Sequence, residues 1–92
     1  MIYNIQPSPR FEKKFKKLVK KNLEIQNKIG KFFSLLAIDP KYPSLKSHQI
    51  NHPDYGKVWS SWLHDDLRVI WQYDGDKIII LLLDIGSHDE VY

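Results

Sequence analysis

Six consecutive aliphatic residues at positions 78–83 restrict the fold of this 92-residue chain more than any other feature of its sequence. Neighbouring side chains of a β-strand point to opposite faces of a sheet, so an uninterrupted apolar run has two faces to bury. The run is also far shorter than the roughly 18 apolar residues that a membrane-spanning helix needs. We therefore predict a central strand over residues 77–84 that a helical hairpin covers on one side.

Two helices are predicted ahead of this strand. Ser8 can cap the first free N–H groups of a helix, and Pro9 suits its first position. An apolar stripe then follows the i, i+4, i+7, i+8 spacing of a helix: Phe11, Phe15, Leu18 and Val19. A second stripe predicts a helix from Asn22 to about Ala37: Ile25, Ile29, Phe32, Phe33 and Leu36. Because the joint between them is short, the helices should form an antiparallel hairpin.

The remaining pattern predicts strands and loops. Residues 2–5 alternate as a first strand, and residues 40–55 form a long loop with a short strand near Leu45 and Lys46. Strands follow over 58–63 and 67–73, and Asp74-Gly75 predicts a two-residue type I′ hairpin turn. Residues 1–92 are therefore expected to be a single α+β domain of order β-α-α-β-β-β, with a helical hairpin on a mainly antiparallel sheet. Its first strand could pair parallel with its last.

The composition indicates the compartment in which the protein acts and the kind of partner that it binds. The chain has no cysteine, which excludes disulfides and thiolate chemistry, and no basic-then-apolar leader, so we expect a cytoplasmic protein without a membrane partner. The net charge of +3 conceals an uneven distribution. Residues 1–46 hold eleven Lys/Arg and three Asp/Glu, whereas residues 47–92 hold three and eight. This asymmetry suggests a polyanionic partner, although a lysine-rich helix with a solvated face is the simpler interpretation.

Candidate site residues converge at one end of the predicted sheet. Asp66 and Arg68 begin the 67–73 strand, and the antiparallel strand after it returns His88 to the same end. Arginine can bind a phosphate bidentately and histidine can transfer protons near neutral pH, which is the set that metal-free RNA cleavage requires. Arg68 could equally form a structural ion pair with Asp66 or Asp84. The sequence has no phosphate-binding glycine motif, and we expect neither a metal nor a small-molecule cofactor.

At these residues the sequence resembles a known family. L-R-V-I-W at 67–71, the Asp74-Gly75 hairpin and the ending D-I-G-S-H-D-E-V-Y at 84–92 resemble the RelE/ParE superfamily of bacterial and archaeal type II toxins. The ending, together with L-K-S-H at 45–48 and V-W-S-S at 58–61, is similar to the RelE/YafQ-like branch. The resemblance implies a RelE-like fold and a ribosome-dependent mRNA endonuclease that a cognate antitoxin neutralises. Its partners would be that antitoxin, the ribosome and mRNA.

The resemblance also implies site residues. It places the catalytic groups at matching positions of this chain: His48, Asp66, Arg68, His88 and Tyr92. The chain departs from the pattern at Leu67, where YafQ has an aromatic residue, and at Trp59 and Ser61, where RelE has lysines. Asp84 replaces an arginine of YafQ. The resemblance therefore implies that histidine side chains carry the catalysis.

The implied chemistry is attack of a ribose 2′-OH on the adjacent 3′-phosphate, which leaves a 2′,3′-cyclic phosphate and a 5′-OH. Arg68 would hold the phosphate. His48 and His88 would be the general acid and the general base, in an order that the sequence leaves open. Asp66 would orient a histidine or the 2′-OH, and Tyr92 would position the RNA. The residues expected to contact RNA or the ribosome are Lys13, Lys14, Lys16, Lys17, Lys20, Lys21, Trp59 and His64.

Three other functions are compatible with the same fold. A ParE-like toxin would act by binding DNA gyrase and would not need the histidines. A catalytically degenerate relative would serve only as a binding module, and a ribosome-independent RNase would cleave naked RNA.

Overall fold

Five strands build one sheet in the computed structural model, which describes residues 2–92. The elements in chain order are β1 (Asn4–Pro7), α1 (Pro9–Lys21), α2 (Leu23–Ile38), a 3-10 turn (Pro43–Leu45), β2 (His48–His52), β3 (Gly56–His64), β4 (Leu67–Tyr73), β5 (Ile79–Ser87) and α3 (His88–Val91). The strand order across the sheet is β1-β5-β4-β3-β2. β1 pairs parallel with β5, and the other pairs are antiparallel. The predicted α+β class and the parallel pairing are thus confirmed.

The aliphatic run lies in β5, which β1 and β4 flank. Ile80, Leu82 and Ile85 pack into a core beneath the helices, whereas Leu83 joins a second cluster with Val58, Ile70 and Val91. Both faces of β5 are therefore covered, as its sequence predicts. The middle position of the sheet belongs to β4, however, and β5 is its neighbour.

The helical hairpin forms as predicted, and side chains cap both helices. The Ser8 hydroxyl accepts from the Phe11 N–H at 3.1 Å, and the Asn22 side chain accepts from the Glu24 N–H at 3.0 Å. The Phe33 ring packs against the Phe11 and Phe15 rings, so the second helix folds back along the first. None of the helices described in residues 2–92 is both long and apolar enough to cross a membrane.

Two predicted connections are wrong. β2 occupies part of the predicted loop, while Leu45 and Lys46 lie in and after the 3-10 turn instead of in a strand. β2 is an edge strand that pairs only with β3, so little of it needs to be apolar. It has a single aliphatic residue, Ile50, and its sequence therefore lacks the alternation that predicts a strand. The turn after β4 spans residues 74–78, since Lys77 N–H donates to the Asp74 carbonyl at 3.0 Å and delays the next strand to Ile79.

A buried carboxylate joins α1 to β5. Asp84 is fully buried, and its Oδ1 lies 2.7 Å from Lys14 Nζ. Its Oδ2 lies 3.1 Å from Arg10 Nη2, an ion pair without hydrogen-bond geometry. Arg10 also binds Asp54 at 3.1 Å, a hydrogen bond that raises the pKa of the guanidinium above its ordinary value. Lys14 is therefore turned toward the sheet, although the sequence places it among the lysines expected to contact RNA or the ribosome.

We predict that Asp84→Asn lowers the free energy of unfolding by about 2 kcal/mol, because it leaves two cations without their buried counter-charge. Both cations are partly exposed, and water therefore limits the loss. Urea denaturation measures the effect. Asp74→Asn is the matched control, because it removes an exposed carboxylate 3.8 Å from Lys77 and should change stability by less than about 0.5 kcal/mol. Equal losses in the two variants would contradict this assignment.

Candidate active site

Two histidines, a tyrosine and a serine meet on the sheet face opposite the helical hairpin. His48 opens β2 and pairs with Ser60 of β3, so both side chains lie on the same face. The Tyr92 hydroxyl hydrogen-bonds the Ser60 hydroxyl and lies 3.2 Å from His48 Nε2. The His88 ring centroid lies 4.1 Å from that of Tyr92. We call these four residues the histidine–tyrosine cluster.

The single helical turn α3 carries His88 and Tyr92 and is held from three sides. Ser87 caps it through a capping box with Glu90, and the His88 N–H donates to the Asp66 carbonyl at 3.0 Å. Val91 is buried in the second cluster. The hydrogen bond from the Ser87 backbone N–H lowers the pKa of Glu90 below its ordinary value of 4.5. These contacts fix α3 over the end of β5.

Hydrogen bonding assigns the tautomer of His48. Its Nδ1 lies 3.0 Å from the Lys46 carbonyl oxygen, which can only accept, so Nδ1 carries the proton. In the neutral ring Nε2 then accepts from the Tyr92 hydroxyl. The basic nitrogen of His48 consequently points into the cluster. The side chain of His88 is about half exposed, with Nδ1 3.6 Å from Asp89 Oδ1.

A second group of side chains lies on the same sheet face, two residues beyond Ser60 along β3. Trp62 pairs with Arg68, and both donate hydrogen bonds to the Asp65 carbonyl, at 2.7 Å from Trp62 Nε1 and 3.3 Å from Arg68 Nη1. Asp65 has a φ of 47°, a left-handed conformation that turns its carbonyl toward both side chains. Lys46 Nζ lies 5.0 Å from the Trp62 ring centroid. We call Lys46, Trp62 and Arg68 the basic–aromatic row.

The structure brings four of the five predicted catalytic residues to this face: His48, Arg68, His88 and Tyr92. The fifth, Asp66, supplies its backbone carbonyl to His88, and its side chain is exposed beside them. Sequence reasoning missed Ser60, Lys46 and Trp62. The register between β3 and β4 would have identified Trp62, because it lies directly opposite Arg68.

Two residues predicted to contact RNA lie elsewhere. Trp59 is half-buried on the helix-bearing face, where its ring stacks on Trp71 at a centroid distance of 5.6 Å. His64 is 7% exposed, with Nδ1 3.1 Å from Lys28 Nζ and Nε2 2.9 Å from Glu24 Oε2. Trp59 belongs to the core, and His64 joins α2 to the end of β3, so neither reaches the histidine–tyrosine cluster.

The lysines expected to contact RNA lie on the first helix of the hairpin, α1. α1 packs through Phe11 against the helix-side core, on the opposite side of the sheet from His48 and Tyr92. Five of the predicted lysines are exposed there: Lys13, Lys16, Lys17, Lys20 and Lys21. Within residues 2–92, no three His, Cys, Asp or Glu side chains are grouped as a metal site would require.

The helical hairpin over a five-stranded sheet, with histidines and a tyrosine on its other face, defines a RelE-like toxin. The family described as "Bacterial toxin of type II toxin-antitoxin system, YafQ" matches residues 3–92, and the chain belongs to this family. The predicted RelE/YafQ-like membership is therefore confirmed.

Solved structures have the same fold. A metal-bound toxin from Helicobacter pylori superposes with a TM-score of 0.71 at 26% identity over 100% of both chains. YafQ from E. coli strain BL21(DE3) gives 0.74 at 21% identity over 96% of both chains. The archaeal RelE–RelB complex from Pyrococcus horikoshii OT3 gives 0.73 at 16% identity, covering 95% of this chain and 96% of that one. A search of curated proteins finds no significant match.

We predict that Gly86→Ala displaces α3. An added Cβ would lie 3.2 Å from Glu90 Cβ and from Val91 Cγ1, so these side chains of α3 must shift by a few tenths of an ångström. We expect a loss of about 1–3 kcal/mol in unfolding free energy, as for other overpacked sites, and weaker nuclear Overhauser contacts between Tyr92 and His48. Gly30→Ala is the control, because nothing lies near its added Cβ in an exposed helix position. Unchanged stability and unchanged intensity of the Tyr92–His48 contacts in Gly86→Ala would contradict the prediction.

We also predict that α3 loosens in acid. Because the pKa of Glu90 is lowered on folding, its stabilisation of α3 is complete above the ordinary value of 4.5 and is lost as the pH falls through the folded value. The protection factor of the Ser87 N–H between pH 6 and pH 3, which removes the intrinsic pH dependence of amide exchange, reports this change. Glu90→Gln should remove the acid step at this amide. The same step in both proteins would assign it to another group.

Proposed function

We propose that this toxin is a metal-independent, ribosome-dependent mRNA endonuclease that acts in the cytoplasm, with residues 1–92 as one toxin domain. The observation that carries the proposal is the pairing of two imidazoles on one open sheet face. His48 Nε2 and the His88 ring both adjoin Tyr92. RNA cleavage through a 2′,3′-cyclic phosphate needs one group to accept a proton and another to donate one, and histidine can do either near neutral pH.

The tautomer of His48 favours it as the base. Its unprotonated Nε2 accepts from the Tyr92 hydroxyl, and a ribose 2′-OH in place of that hydroxyl would give its proton to Nε2. The 2′-oxygen then bonds to phosphorus, and the bond from phosphorus to the 5′-oxygen breaks. Protonated His88 donates to the departing 5′-oxygen. The products are a 2′,3′-cyclic phosphate and a 5′-OH.

Arg68 is the proposed phosphate ligand. One of its nitrogens, Nη1, donates to the carbonyls of Asp65 and Leu67, and the guanidinium has further N–H groups for phosphate oxygens. Charge-assisted bonds of this kind stabilise the negative charge that increases in the transition state. Asp66 would orient the substrate 2′-OH or a histidine from its exposed position beside α3.

The partners follow from the family and the charge distribution. A cognate antitoxin is proposed because the chain belongs to a type II toxin family and a structurally similar RelE is seen with RelB. The five exposed lysines of α1 would contact ribosomal RNA phosphates or acidic segments of the antitoxin. Affinity at such a surface falls steeply as the salt concentration rises.

The test is cleavage in cells. We expect induced expression of the toxin to give discrete, codon-phased mRNA ends by primer extension. His48→Ala and His88→Ala should each reduce cutting and toxicity at least about 100-fold, the usual contribution of general acid–base catalysis. Lys77→Gln, on the turn at the far end of the sheet, is the control that should cut like the unmodified protein.

The alternatives predict different results. Full toxicity of both histidine variants, with inhibited DNA supercoiling, would replace the nuclease by a gyrase-binding toxin. Cleavage of naked RNA by the purified protein would contradict ribosome dependence. Toxicity without any cut would leave a binding module. Thermal unfolding of each variant shows that a lost activity is not a lost fold.

A further inference from the structure

A cleft of about 290 Å³ lies beside Trp62, between α2, the 3-10 turn and the end of β3. Its size is near the lower end of small-ligand pockets. Phe32 and Leu45 give it an apolar floor, and Lys28 and Lys31 add two cations. Of the described residues 2–92, none that lines it is acidic. An aromatic ring, an apolar floor and two lysines match the chemistry of a nucleotide, which has a flat base and an anionic phosphate.

The cleft continues from the site already described through Trp62. This residue lines the cleft and also belongs to the basic–aromatic row with Lys46 and Arg68. The Lys46 backbone in turn accepts from His48. A path of touching groups thus runs from His48 past Lys46 and Trp62 into the cleft.

His64 fixes one of the cleft lysines. Lys28 Nζ donates to His64 Nδ1 at 3.1 Å, so Nδ1 is unprotonated. Nε2 then carries the proton, which faces the carboxylates of Glu24 at 2.9 Å and Asp65 at 3.3 Å. Because the His64 ring is almost completely buried, the Lys28 ammonium is held at the rim. His64 therefore holds the Lys28 side chain at the cleft.

We propose that this cleft is a nucleotide subsite for single-stranded RNA, which takes one base adjacent to the scissile phosphate. The base stacks on Trp62, and the phosphates beside it contact Lys46 and Lys31. This inference rests on the proposed function, since it extends the same RNA strand beyond the histidine–tyrosine cluster. Stacking on an aromatic ring tolerates any base, and the subsite therefore strengthens binding without setting the sequence.

The test measures RNA binding without cleavage. The full chain with His88→Ala is titrated against a short fluorescein-labelled oligoribonucleotide at low salt, and anisotropy gives Kd. We expect Trp62→Leu to weaken binding about tenfold, and Trp62→Phe, which keeps an aromatic ring, by less than about threefold. Lys31→Gln should weaken binding about threefold and reduce the salt dependence. Lys77→Gln, which removes the same charge at the far end of the sheet, should leave Kd unchanged.

Three results would overturn the subsite. One is an unchanged Kd in a folded Trp62→Leu variant. Another is a parent protein that does not bind the oligoribonucleotide at all. The third is a Trp62→Leu variant that loses affinity for its antitoxin but keeps its affinity for RNA, which would assign the cleft to a protein segment. None of these three results decides whether the protein is an endonuclease, because the cleavage assay in cells tests that proposal separately. Conversely, Trp62-dependent binding in a protein that makes no cuts would retain the subsite and reject the nuclease.

Discussion

Burial of β5 on both of its faces is the constraint on which the rest of the structure depends. The helical hairpin covers the face that presents Ile80 and Leu82. Leu83 needs a cover on the other face, and Val91 of α3 provides part of it. Since α3 also carries His88 and Tyr92, the contact that completes the core is the contact that places two residues of the candidate site. The packing of Val91 therefore both covers β5 and places His88 and Tyr92 on the sheet face.

Two kinds of feature can be predicted from the sequence: those set by local residue patterns, and those set by the direction of consecutive antiparallel strands. Helix caps at Ser8 and Asn22 depend on neighbouring backbone groups, so their sequence signals are reliable. The meeting of Arg68 with the end of β5 follows from two antiparallel strands of known length, and the register pairs Arg68 with Gly86. His88 then reaches Asp66 without any information about side-chain packing.

Features that depend on tertiary contacts were not predictable in the same way. β2 forms through backbone hydrogen bonds to β3, which leave no mark on its polar sequence. The left-handed backbones of Lys46 and Asp65 occur at residues other than glycine, so the basic–aromatic row has no turn signal. A register shift between Trp62 and His64 turns His64 toward α2. Lys14 follows the helical pattern of its solvated neighbours, yet a carboxylate 70 positions away binds it.

The position of each site residue in the sheet gives the candidate site two levels of rigidity. Ser60 and Arg68 lie on β3 and β4, each of which has a hydrogen-bonded strand on both sides. His48 lies on the edge strand β2, and His88 and Tyr92 lie on a single helical turn. Local opening costs least at sheet edges and short terminal elements and most in central strands. The backbone that carries the proposed phosphate ligand is therefore held firmly, whereas the elements that carry the two imidazoles can adjust toward a bound strand at far less cost than global unfolding.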